Sequence, residues 1–426
     1  MNLRYYSLLL YLLTPLLWLY LAFRAVKSAD YRGRWGERFA LGKLQRSEVL
    51  IHCVSMGETL AALPLIKTLL QQRPDLRFTV TTTSPTGSRE VLKALGGRVQ
   101  HCYLPFDLPW CIRRFLRQVQ PQLLIIMETE LWPNLLHLSR QQGAKVLLAN
   151  ARLSAKSADN YHKWPKLSGP MLQQLNAIAV QTATEAERFV ALGVAAERLQ
   201  VCGSLKFDVQ LDNDKIAKAR AQRQQWGRDQ VPVWVAGSVH PGEFDAILAC
   251  HQQLLARWPQ ALLIMVPRHP EQFDNAANAI KRAGLAFVRR SQTLEITAET
   301  QVLLGDTMGE LLGLYSCGDV AFVGGSLIVH GGHNPLEAAA LGLPVLMGPN
   351  YRDFKEITDM LVAAGAMHIV SDAAQLAAAI GQLWSSPARW QQASKAGLSV
   401  VTANKGALQR QSTLALACLS EIKAAD

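Results

Sequence analysis

The 426-residue sequence contains no G-x-G-x-x-G, no G-x-x-x-x-G-K-[ST] and no H-E-x-x-H. Their absence argues against a dinucleotide oxidoreductase, a P-loop kinase and a zinc protease, whose phosphate loops or metal ligands need those residues at those spacings. Cysteine is sparse: Cys53, Cys102, Cys111, Cys202, Cys250, Cys317 and Cys418 are scattered, include no C-x-x-C pair and mostly sit inside apolar runs. They read as reduced core residues of a cytosolic domain, and neither their odd number nor their spacing suits a zinc site. There is no long low-complexity tract. With 49% hydrophobic and only 18% charged residues, the composition is that of a folded chain.

What is present begins with length. A chain of this size suits two domains of roughly 200 residues each. Its formal charge of +11 calls for an anionic partner, and nucleic acid, an anionic membrane and a phosphorylated substrate would each satisfy it. The distribution decides between them. From Tyr5 to Phe23 no residue is charged, long enough for a helix to come close to crossing a bilayer core of ~30 Å, with Tyr5, Tyr6, Trp18 and Tyr20 near its ends. Arg24, Lys27, Arg32, Arg34, Arg38, Lys43 and Arg46 follow it, whereas Arg4 alone precedes it. By the positive-inside rule the bulk of the protein is expected on the cytoplasmic side of the membrane. The same basic flank would attract anionic or phosphorylated lipid. A buried core helix is the competing reading, and Thr14-Pro15 in the middle leaves open a helix lying in the surface instead of spanning it. Residues 1–28 are read as a membrane anchor.

From residue 48 short β-rich runs alternate with helical stretches, which is the pattern of βα units and parallel sheets. Expected strands are Val49–Val54, Phe78–Thr82, Leu123–Met127, Lys145–Ala149 and Ala177–Val180. A polar stretch starting at Gln210 reads as a connector plus a helix. A second series follows at Val233–Ala236, Leu262–Val266, Val302–Leu304, Val320–Val323 and Pro344–Met347. The fold class is therefore α/β with two Rossmann-like domains, residues 29–210 and 211–426, behind the anchor helix. The Ala- and Leu-rich end from Asp372 is helical and could pack back on the first domain. Ligands are expected outside the carboxyl ends of the strands.

Acids and glycines collect at those ends. Val54-Ser-Met-Gly-Glu58 puts a carboxylate beside a glycine after the first strand, although a glutamate there also serves as an ordinary helix cap. Met127-Glu-Thr-Glu-Leu-Trp-Pro133 ends another strand with Glu128 and Glu130, where one acid could cap a helix but hardly both. Asn150-Ala-Arg follows the next strand, and Gly203-Ser-Leu-Lys-Phe-Asp208 supplies the cation Lys206. In the second series, Ala236-Gly-Ser-Val-His-Pro-Gly-Glu243 could cradle an anion on backbone N–H groups and Ser238. Val266-Pro-Arg-His-Pro270 adds Arg268. Gly305-Asp-Thr-Met-Gly-Glu-Leu311 and the run from Gly324 to Glu337 complete the set, with Asn334 and Glu337 expected on one helix face, where a carboxylate could hold ribose hydroxyls. His330 and His333 read as ordinary polar histidines, and Asp212-Asn-Asp214 lies in a charged connector, so no metal is expected.

Together, Glu58 after Val54-Ser-Met-Gly, Met127-Glu-Thr-Glu-Leu-Trp-Pro, Asn150-Ala-Arg, Gly203-Ser-Leu-Lys-Phe-Asp, Pro267-Arg-His-Pro, Gly305-Asp-Thr-Met-Gly-Glu-Leu and His333-Asn-Pro-Leu-Glu resemble the 3-deoxy-D-manno-octulosonic acid (Kdo) transferase family over nearly the whole chain. The resemblance implies a B-type glycosyltransferase fold and an inner-membrane anchor. It implies an inverting, metal-independent enzyme without a cofactor that moves Kdo from CMP-Kdo to a phosphorylated lipid A precursor, lipid IVA, in lipopolysaccharide core assembly. It further implies Glu58 as general base and Glu128 and Lys206 as transition-state stabilisers. CMP would lie against Pro267 and Arg268, against Met308, Gly309 and Glu310, and against Asn334, Pro335, Leu336 and Glu337. Two rivals remain at this point: another B-fold enzyme using a UDP-linked donor, and a non-catalytic basic membrane-binding protein. The latter, like a nucleic-acid binder, leaves the strand-end acids unexplained.

Overall fold

A computed structural model describes residues 1–209, 211–293 and 295–423; Gln210, where the expected connector begins, lies outside them. The chain forms two compact units, Met1–Asp208 with the stretch from Lys405 onward, and Val209–Asn404. In the first unit the strands are β1 (Val49–Cys53), β2 (Phe78–Thr82), β3 (Gln100–Tyr103), β4 (Leu123–Met127), β5 (Lys145–Ala151), β6 (Ala177–Val180) and β7 (Leu199–Val201). They form one parallel sheet in the order β3-β2-β1-β4-β5-β6-β7. Every residue of β1, β2 and β4 is buried, as a strand covered by helices on both faces requires.

The second unit repeats the plan. Its strands are β8 (Val233–Val239), β9 (Leu262–Pro267), β10 (Phe287–Arg289), β11 (Val302–Leu304), β12 (Val320–Val323), β13 (Val345–Met347) and β14 (Met367–Ile369). They pair in parallel in the order β10-β11-β9-β8-β12-β13-β14. The four strands absent from the sequence reading, β3, β7, β10 and β14, are the outer strands of the two sheets. Each is three or four residues long and partly exposed, so none carries the continuous apolar run that marks an interior strand.

Strand order locates the ligand sites. In the first sheet the winding reverses between β1 and β4, and in the second between β8 and β12. Loops that leave such a pair diverge to opposite faces and open a crevice at the strands' carboxyl ends.

The helix Ala407–Lys423 returns to the first unit. The Asp208 carboxylate accepts the N–H groups of Gly406 and Leu408 at 2.8 and 2.5 Å, which satisfies donors at this helix's start. Arg410 donates to the Cys202 carbonyl, and Gln411 to that of Gly203. At the other terminus, the helix Leu3–Lys27 presents two different sides. Tyr6 Oη donates to Asp107 at 3.1 Å, Trp18 stacks on Phe39 at 4.4 Å and Leu21 is buried, whereas Leu12 and Leu19 are 70% and 64% exposed. All seven cysteines are buried.

Candidate active site

In the first unit, β1 runs into Ser55, which caps the helix Met56–Gln72. Glu58 stands three residues further on and reaches back. Its Oε1 accepts from the Ser55 backbone N–H at 3.1 Å and from Ser55 Oγ at 2.7 Å, and Oε2 accepts from the Val54 N–H at 2.8 Å. The Ser55 hydroxyl accepts the Glu58 N–H in return, completing a capping box. A carboxylate offers about four lone-pair sites. Three are used here by described residues, so Glu58 is a rigidly held cap with one site left on Oε2.

Beside it in the switch-point pair, β4 ends at Met127 and the chain turns sharply. Glu128 has φ +55°, a left-handed conformation that an ordinary side chain adopts only when its surroundings hold it, while its N–H still bonds the Ala149 carbonyl at 2.9 Å. Glu130 follows two residues later. Burial, reinforced by the charges of Glu58 and Glu128, lifts its carboxyl to about 7. The same two carboxylates add to the burial that raises the Cys53 thiol. Glu58, Glu128 and Glu130 therefore share one electrostatic neighbourhood. Glu130 also lines a cavity of about 400 Å³ together with Tyr6, Trp132, Tyr161 and Trp164.

Asn150 is the hub of the next strand end. It sits at a register shift in β5 with φ +51°. Its Oδ1 accepts the N–H of Leu205 at 3.0 Å, its N–H donates to Gln411 Oε1 at 2.8 Å and its carbonyl accepts from Gln181. The turn Leu205–Phe207 that carries half-buried Lys206 is thus fixed to β5 and to the terminal helix.

In the second unit, Ser238 has φ +56° near the end of β8, close under the backbone of Gly324, where a Cβ would meet the Ser238 carbonyl at 2.5 Å. The loop that sequence offered as an anion cradle instead supplies an anion of its own to a nest shared with the loop after β12. Glu243, fully buried, accepts from the N–H groups of His240, Gly325, Ser326 and Leu327 at 2.7–3.0 Å. Next door, after β9, half-buried Arg268 follows Pro267, and its guanidinium has no hydrogen bond or ion pair to any described residue. The nearby Glu337 carboxyl is raised by burial and partly offset by Arg268.

The remaining residues expected to meet the donor lie in two loops of this unit. Arg290 holds Glu310 through two 3.2 Å hydrogen bonds, and Thr307 also donates to it, so that carboxylate is committed. Exposed Met308 and Gly309, at φ +83°, form the accessible tip of this loop. Asn334 does not share a helix face with Glu337. The helix is Leu336–Ala340, behind Pro335, and Asn334 precedes it, accepting the Leu336 N–H at 3.0 Å. Asp212 caps the helix Asn213–Gln225 and pairs with Lys215, a structural role for the Asp212-Asn-Asp214 run. Sequence reading missed His240 as the companion of His330 and His333; one ring nitrogen of each lies within 4.8 Å of the others. It also missed Gln411, whose partner Asn150 is 261 residues away and leaves no local signal.

Comparison with known proteins agrees with this architecture. The profile of the family described as 3-deoxy-D-manno-octulosonic-acid transferase (kdotransferase) matches residues 33–209. The chain is 42% identical over 411 residues to the 3-deoxy-D-manno-octulosonic acid transferase of Haemophilus influenzae, covering 95% of this chain and 96% of that one. It is 37% identical to the enzyme of the same name from Bordetella pertussis, with the same two coverages. Among solved structures, the UDP-GlcNAc 2-epimerase of Neisseria meningitidis superposes with a TM-score of 0.56 at 17% identity, over 88% of this chain and 99% of that one, a likeness of fold. Identity of that extent to the two transferases, carried on two parallel Rossmann-like sheets, makes the chain a member of the Kdo transferase family and a glycosyltransferase of the B-type fold.

Proposed function

We propose that the chain transfers Kdo from CMP-Kdo to a phosphorylated lipid A precursor, lipid IVA, with inversion at the anomeric carbon. The observation that carries this reading is Glu58, a carboxylate held rigidly at the switch point of a Kdo transferase fold. An acceptor hydroxyl is a poor nucleophile until a base begins to take its proton, and the spare lone pair of Glu58 is suited to that task. Glu128 and Lys206 stabilise the charge that develops as the bond to CMP breaks. On the second unit, Arg268 meets the departing phosphate. Pro267, the tip Met308 to Glu310 and the stretch Asn334 to Glu337 frame the nucleotide, with Glu337 available to ribose hydroxyls.

No metal or cofactor enters this scheme, because a guanidinium and a lysine supply the positive charge a metal would otherwise bring. The exposed apolar side of Leu3–Lys27 and the basic flank behind it support attachment to the inner membrane with both units on the cytoplasmic face. The test is incubation of the purified chain with CMP-Kdo and tetra-acylated lipid A precursor, read by mass spectrometry of the lipid. Mass increments of whole Kdo residues, inhibited by CMP and not by UDP, are expected. An unmodified lipid, or inhibition by UDP in preference to CMP, contradicts the proposal and favours a UDP-linked donor.

A further inference from the structure

At the switch point of the second sheet, three histidines converge from two loops. His240 follows β8, and His330 and His333 lie on the glycine-rich loop after β12. His240 Nε2 and His333 Nε2 are 2.9 Å apart with their rings stacked, and the His330 ring lies 4.1 Å, centroid to centroid, from that of His240. The backbone is shaped to admit them. Gly325 has φ +69°, and a Cβ there would meet His333 at 3.0 Å and His330 at 3.4 Å. His269, after β9, adds a fourth ring 5.7 Å from His240.

Three imidazoles suggest either a cation or an anion, and the surrounding charges separate the two. Burial above all lowers His240 to about 4 and His333 to about 3, and the charged groups acting on them, the other imidazoles and Arg268, push in the same direction. The acids nearby are engaged elsewhere. Glu243 is saturated by four backbone N–H groups, Glu337 is assigned above to the nucleotide's ribose, and Asp353 sits against Gly331 while paired with Arg352. A divalent cation would enter beside the Arg268 guanidinium, and among the described residues no carboxylate joins the three imidazoles to neutralise it. An anion would meet N–H donors and a positive field.

We infer that His240, His330 and His333 form a second anion site on this unit, separate from the nucleotide contacts, and that it receives the carboxylate of the donor's sugar acid. The inference rests on the donor reading above. A nucleotide-linked sugar acid carries two anions, the phosphodiester and the carboxylate. Arg268 accounts for the first, whereas a donor with a neutral sugar would have no use for the second group of donors.

The test uses the full chain with His330→Gln, His330→Glu and His240→Gln, checking each melting curve first. His330 is exposed, so its variants are expected to fold. Initial rates give KM for freshly prepared CMP-Kdo, and inhibition gives Ki for CMP. His330→Gln and His240→Gln are expected to raise KM for CMP-Kdo about tenfold while leaving Ki for CMP within about twofold, and His330→Glu is expected to raise KM further. An unchanged KM in both His330 variants, or a parallel rise in Ki for CMP, overturns the inference. So does stoichiometric zinc or nickel in the purified chain that His330→Gln loses and His330→Glu keeps, the signature of a metal site. Failure of the donor reading is seen separately, as a wild-type chain that CMP does not inhibit.

Discussion

Asn150 Oδ1 accepts the backbone N–H of Leu205 at 3.0 Å, fastening the end of β5 to the turn that carries Lys206. The link joins two loops 55 residues apart and fixes the backbone next to Lys206 to β5. Asn tolerates the left-handed φ at position 150 better than most residues, and glycine tolerates it without strain. Asn150→Gly therefore removes the side-chain link alone. Turnover is expected to fall about tenfold or more, since small misplacements of catalytic groups are costly, while the melting temperature drops by only a few degrees. Parallel kinetics and thermal unfolding check this; unchanged turnover would release Asn150 from a positioning role.

The guanidinium of Arg268, which has no hydrogen bond or ion pair among the described residues, gives a binding prediction. Its removal breaks no hydrogen bond or ion pair within the described residues, so Arg268→Ala should fold normally. A charge-assisted contact to phosphate contributes about 1.5–3 kcal/mol, and CMP affinity measured by calorimetry should weaken by roughly 10- to 150-fold. Activity should persist in EDTA on the same account; loss on chelation with recovery on adding magnesium or manganese would contradict it.

Much of this arrangement is legible in the sequence, and the exceptions have physical causes. Interior strands such as Leu123–Met127 announce themselves because burial on both faces demands an unbroken apolar run. Outer strands do not: Phe287–Arg289 is half-buried throughout, and its pattern reads as loop. The loop after β8 is legible as an anion cradle, yet only the fold reveals that its own Glu243 carboxylate takes up the His240 N–H and those of Gly325, Ser326 and Leu327 after β12. In the sequence Glu58 reads as either cap or base because both roles share one local signature, and the structure shows the capping box complete. Contacts of high sequence separation, such as Gln411 with Asn150, leave no spacing to recognise.

Glu130 predicts a pH effect on stability. Its carboxyl rises from the ordinary 4.5 to about 7 in the fold. The folded state therefore favours the protonated form, and stability falls as pH rises from about 4.5 through 7, with the full penalty above 7. Glu130→Gln removes the penalty. The variant should be more stable than wild type at pH 8 by about 1–2 kcal/mol, after discounting for partial solvent screening, and the two should converge near pH 4.5. Melting temperatures at both pH values test this; a difference independent of pH would count against it.

The N-terminal helix predicts fractionation. A chain beginning at Ala29 loses the exposed apolar side of Leu3–Lys27 but also uncovers Phe39, the stacking partner of Trp18. It should leave the membrane fraction that holds the full-length chain, retain both units, and show a modest loss of thermal stability. Recovery of the full-length chain in the soluble fraction of a gentle lysate would contradict the anchor.

The central mechanistic claim is that Glu58 takes the acceptor's proton, and it is tested most directly by Glu58→Gln assayed for turnover, CMP affinity and melting on one preparation. Glutamine keeps the reach of the side chain and one oxygen for the Ser55 N–H, but cannot also accept from Val54. A loss of about 0.5–2 kcal/mol in stability is expected from the weakened cap. Turnover should fall by roughly 10²–10⁴-fold with CMP affinity unchanged. Near-normal turnover in a folded Glu58→Gln chain would contradict the account and move the base to Glu128.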